Sequence, residues 1–188
     1  ADEAAYQTKL AETRRRLRPD MTLYEFGCGT GSTTLVHAPH VAHIRAVDFS
    51  EKMIGIAQAK AASAGVTNVS FERGTIEDIH LAPASLDMVL GLSILHLLRD
   101  KQAVIDKVFR ALRPGGYFVS STICIREANP LLGLVTPLTN RLGLIPYLDV
   151  MDSTQLVTAL TSAGFWIEHR WQPNRKSALF LIARKPED

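Results

Sequence analysis

Glu25, Gly27, Gly29, Gly31 and Asp48 carry the most legible chemistry in this chain. The first four stand in Leu23-Tyr24-Glu25-Phe26-Gly27-Cys28-Gly29-Thr30-Gly31, and Asp48 follows seventeen residues after Gly31. Glycine accepts φ > 0 and lets a ligand approach the backbone, because no Cβ intervenes. The dinucleotide fingerprint is Gly-x-Gly-x-x-Gly, with a pyrophosphate resting on the helix that follows. Here the third glycine arrives one residue early and Ser32 stands behind it. Glu25 precedes the glycines by two residues, where a carboxylate repels a pyrophosphate and suits a ligand carrying an ammonium group. Asp48 closes Ile44-Arg45-Ala46-Val47-Asp48, and an acid at such a strand end can accept hydrogen bonds from ribose hydroxyls. Its competing role as a helix cap is already filled by Ser50.

The elements that position these groups follow from periodicity. An N-terminal helix over 2–18 carries Tyr6, Leu10, Thr13 and Leu17 on one face. Strands are expected at Thr22–Phe26, Ile44–Asp48, Val69–Glu72, Asp87–Gly91 and Tyr117–Ile123. Helices are expected at Ser32–Ala38, stopped by Pro39, at Glu51–Ala64, closed by Gly65, and at Asp100–Leu112. A last helix runs over Ser153–Ala163 with Asp152 or Ser153 as cap. The strands Trp166–Trp171 and Ala178–Ala183 can pair as an antiparallel hairpin. The alternation gives the α/β class: a doubly wound, seven-stranded Rossmann-like sheet, mostly parallel, with helices on both faces and ligands at the carboxyl ends of the strands.

With these pieces in place the sequence resembles the class I S-adenosylmethionine (SAM) dependent methyltransferases. The resemblance is carried by Glu25–Gly31, Val47-Asp48-Phe49-Ser50, Phe71-Glu72-Arg73-Gly74-Thr75-Ile76-Glu77-Asp78, Leu86-Asp87-Met88-Val89 and Leu112-Arg113-Pro114-Gly115-Gly116, in the family's order and spacing. Within the family it is similar to the small-molecule, ubiquinone/menaquinone-biosynthesis-like group. The resemblance implies SAM as cofactor. It places Gly27, Cys28 and Gly29 beneath the methionine part, Glu25 near the ammonium, Asp48 on the ribose, and Phe49 and Met53 beside the adenine. Relatives carry Asp and a small residue after strand three. Here Thr75-Ile76 stands instead, so the Thr75 hydroxyl and the Ile76 amide become the adenine contacts, with Glu77 or Asp78 as the charged alternative. Leu92 approaches the sulfonium side. His96, after strand four, is the best-placed general base, in competition with a purely structural role.

The same region excludes several acceptors. Gly91-Leu92-Ser93-Ile94 is not the Asn/Asp-Pro-Pro-aromatic turn of amino-methylating DNA enzymes. Neither cysteine, Cys28 or Cys124, follows strand four as a base-carbon nucleophile would, and no paired glutamates mark a protein-arginine enzyme. A small molecule remains, taken by direct displacement from a donor that is already activated. Segment 126–151 is expected to cover the substrate. From Leu131 to Met151, 12 of 21 residues are hydrophobic, which favours an apolar or aromatic acceptor. A homodimer contact or plain core packing competes with that role. Arg126 and Arg141 are candidate partners for an anionic acceptor, against a solvated surface. An NAD-dependent oxidoreductase and a non-catalytic SAM-binding protein are the alternative functions.

Composition sets the outer limits. A chain of 188 residues is expected to form one domain over 1–188. The net charge of +2 gives no electrostatic footprint for nucleic acid. Two cysteines make no disulfide framework, and the histidines show no metal-ligand spacing. No apolar run is long enough to suggest stable membrane insertion. The start, Ala-Asp-Glu without Met or secretory segment, reads as trimmed, and the expected location is cytoplasmic.

Overall fold

The computed structural model describes residues 3–129, 131, 136, 140 and 147–187. Seven strands form one sheet in the order β3-β2-β1-β4-β5-β7-β6. They are β1 (Thr22–Phe26), β2 (His43–Asp48), β3 (Val69–Arg73), β4 (Leu86–Leu92), β5 (Leu112–Thr122), β6 (Trp166–Trp171) and β7 (Leu179–Arg184). The first five run parallel, and β7 is antiparallel to both β5 and β6. The helices are α1 (Glu3–Arg14), α2 (Ser32–His37), α3 (Glu51–Ser63), α4 (Lys101–Ala111), α5 (Ile125–Ala128) and α6 (Ser153–Ser162). The strand order reverses at β1, which pairs with β2 on one side and β4 on the other. That reversal opens a crevice at the carboxyl ends of the strands.

Strand alternation divides the sheet's side chains between two cores. Tyr24 and Phe26 pack on one face with Val104, Ile105 and Val108 of α4 and Leu156 and Leu160 of α6. Leu23, Ile44, Met88, Leu90, Phe180 and Ile182 pack on the other with Ile54, Ala57 and Ala61 of α3. Each fully buried aliphatic side chain contributes roughly 1.5–3 kcal/mol. Glu25 falls between Tyr24 and Phe26 and therefore belongs to Leu23's face.

Local signals set the helix boundaries. The Ser50 hydroxyl accepts from the Met53 N–H and starts α3. Asp152 and Gln155 form a reciprocal capping box at α6. Most boundaries fall within a residue of the sequence expectation, and those of α1 and β5 differ by more. α1 ends at Arg14 rather than Arg18. α2 ends at His37, ahead of Pro39, which sits inside a separate 3-10 turn, Ala38–His40. β5 begins at Leu112, with Pro114-Gly115-Gly116 inside the strand and a register shift opposite Leu86 and Met88. Most of the expected covering segment, and Arg141 with it, lies outside the described residues.

Candidate functional site

β1 ends at Phe26, and the chain turns through three glycines with φ of 67°, 55° and 71°. Two of these conformations have visible consequences. A Cβ on Gly27 would lie 3.1 Å from the Ile94 side chain, so Ile94 closes over the backbone there. A Cβ on Gly31 would meet Phe71 at 2.8 Å and Ala57 at 2.9 Å. The early third glycine thus lets α2 settle against β3 and α3.

Asp48 fixes this turn. It is 7% exposed, and its Oδ2 accepts the Gly29 N–H at 2.8 Å while Oδ1 accepts the Ser50 N–H at 2.9 Å. One carboxylate therefore joins the glycine turn to the start of α3. Each oxygen retains capacity for a further donor. Glu25 is 2% exposed and accepts from the Thr34 hydroxyl at 2.6 Å. Burial pushes its pKa up from 4.5 to about 7, with the Thr34 bond opposing the rise.

Two cavities meet at Gly27. The first, about 230 Å³, is walled by Glu25, Gly27, Cys28, Leu92 and Ser121, with α1 closing it through Tyr6, Lys9, Leu10 and Thr13. Its strand residues share a face because Glu25, Leu92, Ser121 and Phe180 hold equivalent places in the alternation. Lys9 Nζ donates to Ser121 Oγ at 2.8 Å, and Tyr6 and Thr33 hydroxyls lie 3.4 Å apart. Ser93 lines the same cavity in the left-handed region (φ 59°) with its N–H donating to the Ser121 carbonyl. Such a backbone in a β-hydroxy residue marks a position held by its surroundings. The second cavity, about 220 Å³, is mostly apolar and is walled by Phe26, Gly27, Phe49, Ile76, Ile94, Leu97 and Leu98, with Gly74, Thr75 and Glu77. Lys107 holds its floor by donating to the carbonyls of Ile76 and Glu77.

The sequence-derived candidates distribute unevenly over this geometry. Glu25, Cys28 and Leu92 line the first cavity; Phe49, Thr75 and Ile76 line the second; Gly27 belongs to both. The Thr75 hydroxyl is engaged with Asp78, donating to its carboxylate at 2.8 Å and accepting from its N–H at 3.3 Å. Gly29 and Asp48 are bonded to one another and line neither cavity. Met53 also lines neither and is 38% exposed. His96 sits in a 3-10 turn, Leu95–Leu97, whose neighbours Ile94, Leu97 and Leu98 wall the apolar cavity while His96 does not. Its carbonyl accepts from Asp149 N–H, its Nδ1 is buried without a partner among the described residues, and burial lowers its pKa.

Several lining residues have no sequence motif. Tyr6, Leu10 and Thr13 stand out only as a helical stripe, and nothing local shows that the stripe covers Glu25. His37, 1% exposed and held neutral by burial with a pKa near 4, reaches the first cavity from α2. Burial raises both Cys28 and Cys124 to about 12, so neither is a thiolate near neutrality. Among the described residues no three His, Cys, Asp or Glu converge as a metal site, and no helix is long and apolar enough to cross a membrane.

A family described as a methyltransferase domain matches residues 17–160. An arsenite methyltransferase of Halobacterium salinarum is 31% identical over 110 residues, covering 57% of this chain and 28% of that protein. A ubiquinone biosynthesis O-methyltransferase of Paracidovorax citrulli is 28% identical over 145 residues, covering 74% of this chain and 60% of that protein. The chain thus spans less than two thirds of the length of either relative. The crystal structure of the YcgJ protein of Bacillus subtilis has the same fold, with a TM-score of 0.77 at 17% identity over 97% of this chain and all of that one.

Proposed function

This chain belongs to the SAM-dependent methyltransferase domain family, and from that premise we propose that it transfers the methyl group of SAM to a small, apolar or aromatic acceptor. The observation that carries the proposal is the pair of cavities meeting at Gly27, one holding a buried carboxylate and the other lined by apolar side chains. Together they fall in the size range of small-molecule sites, roughly 300–1,000 Å³. Their chemistry is unequal in the way SAM is unequal, with an ammonium and carboxylate at one end and a purine at the other.

Bound SAM supplies a sulfonium-activated methyl group, which an acceptor nucleophile takes by direct displacement. The residues supply recognition, alignment and exclusion of water. Glu25, ionised, faces the ammonium. Gly27 and Cys28 give backbone that a ligand can touch. Asp48 holds the Gly29 amide and keeps a free acceptor direction for a ribose hydroxyl. Phe49, Ile76, Leu97 and Leu98 would hold the purine, and Leu92 and Ile94 would border the methyl-bearing side. His96, whose pKa burial lowers, lines neither cavity, and a base is needed only if the acceptor is a hydroxyl or phenol.

The test is transfer of tritiated methyl from SAM into a metabolite extract. Label in a small organic product supports the proposal. No incorporation above a heat-denatured control contradicts it.

A further inference from the structure

A third cavity, away from Gly27, lies where an acceptor could be held. It measures about 490 Å³ and is lined by Arg126, Glu127, Ser153, Arg170, Gln172 and Arg175. Thr122 at the end of β5 and Trp171 at the end of β6 pair with Leu179 and Phe180 of β7. The cavity therefore opens at the same edge of the sheet as Gly27. β1, which leads into Gly27, and β6 are four strand spacings apart in the sheet order, a lateral offset of roughly 19 Å. The cavity also sits at the neck of the apolar segment, because α5 leads into that segment and α6 leads out of it. The Arg126 N–H donates to the Met151 carbonyl at 3.2 Å and closes that neck.

The charges at this neck are arranged with the acids occupied and a guanidinium left over. Glu127 Oε1 accepts from both the N–H and the hydroxyl of Ser153, at 2.8 and 2.7 Å. Arg170 donates to the same hydroxyl at 3.2 Å, which fixes its fork toward the cavity wall. Asp152 uses Oδ1 to cap α6, and its Oδ2 lies 4.0 Å from Arg126. Arg175 is exposed and has no hydrogen-bond or ion-pair partner among the described residues. Among the described residues, three arginines and one acid line the cavity, and Oε1 of that acid, Glu127, is taken by Ser153. Planar guanidinium forks match phosphate oxygens two at a time.

We propose that this cavity binds a phosphate-class oxyanion, a phosphate monoester or diphosphate, and that it anchors the methyl acceptor by that group. The anchoring half of the proposal rests on the methyltransferase reading; the anion site does not.

The experiment is a calorimetric titration of the whole chain with inorganic pyrophosphate, for wild type, Arg175→Gln and Arg126→Gln, with S-adenosylhomocysteine (SAH) titrated in parallel. Wild type is expected to bind pyrophosphate, each variant at least about tenfold more weakly through loss of a charge-assisted pair, and all three to bind SAH alike. No pyrophosphate binding by wild type, or equal binding by the variants, overturns the site. A lost SAH response in all three overturns the cofactor reading and leaves the pyrophosphate result to stand on its own. The source of the phosphate is separated by the labelled product of the methyl-transfer assay. A product retained on anion exchange and released by phosphatase carries the anchor itself. A neutral product overturns anchoring and assigns the site to a free phosphate.

Discussion

Glu25→Gln separates the two demands placed on the buried carboxylate. The substitution keeps size and an acceptor for the Thr34 hydroxyl but removes the charge. In the folded state the Glu25 pKa is about 7 against an ordinary 4.5. The folded protein therefore holds a proton that the unfolded chain releases, and stability falls as pH rises from 4.5 through 7. Two to three units correspond to about 3 kcal/mol of penalty, fully developed above neutrality. At pH 8, Glu25→Gln is accordingly expected to raise the stability of the ligand-free protein by up to about 3 kcal/mol, measured by urea unfolding, and to leave it unchanged at pH 4. Binding moves the other way. A charged hydrogen bond to an ammonium is worth about 1.5–3 kcal/mol, so the variant should bind SAH roughly 10- to 150-fold more weakly at pH 8. Methylthioadenosine, which lacks the amino-acid arm, should bind both proteins equally. Wild-type SAH affinity should also fall as pH drops below 7 and level off near the variant's affinity, while the variant's stays flat. Equal SAH affinity for both proteins, or an equal loss for methylthioadenosine, would refute the assignment of Glu25 to the ammonium.

Three further outcomes follow from the same geometry. Asp48→Ala removes the acceptor for the Gly29 and Ser50 amides and should weaken SAH binding by about 1.5–3 kcal/mol; an unchanged dissociation constant in calorimetry rules out its part in the cradle. Gly31→Ala forces a left-handed alanine into Phe71 and Ala57 and should cost about 2–5 kcal/mol of stability, combining backbone strain with overpacking; a melting temperature within a degree of wild type would contradict the packing role. Cys28 and Cys124, raised to about 12 by burial, should resist iodoacetamide at pH 8 in the native protein and react fully in denaturant, as read by mass spectrometry; rapid native alkylation would show a thiolate that the burial argument excludes.

The glycine turn and the acid at the end of β2 were legible because both are local: a few consecutive residues dictate a strand, a turn and a helix start. The sheet followed from alternation, and its reversal at β1 accounts for where the cavities open. The job of Asp48 was only partly legible. With Ser50 available as the α3 cap, the carboxylate looked free for a ligand, yet both its oxygens accept backbone amides. A glycine turn exposes amide donors that no side chain of its own can satisfy, and a buried acid nearby is drawn to them. The wall built by α1 was not legible at all. Tyr6 and Lys9 reach Thr33 and Ser121 across sequence separations of 27 and 112 residues, and helical periodicity says which face of α1 is apolar without saying what it covers. Ile94, Leu97 and Leu98 form a short apolar run directly after β4, and only the return of the chain over Gly27 turns that run into a binding wall. The α-helix stops at His37, ahead of Pro39, and the 3-10 turn that follows accepts the proline in its first turn, where the missing N–H is not needed.

The most direct test of the cradle is a calorimetric titration of the wild-type chain with SAH and, separately, with NADH. The account requires a saturable SAH response, with one site per chain, and no heat of binding from NADH. Binding of NADH with no response to SAH would contradict it.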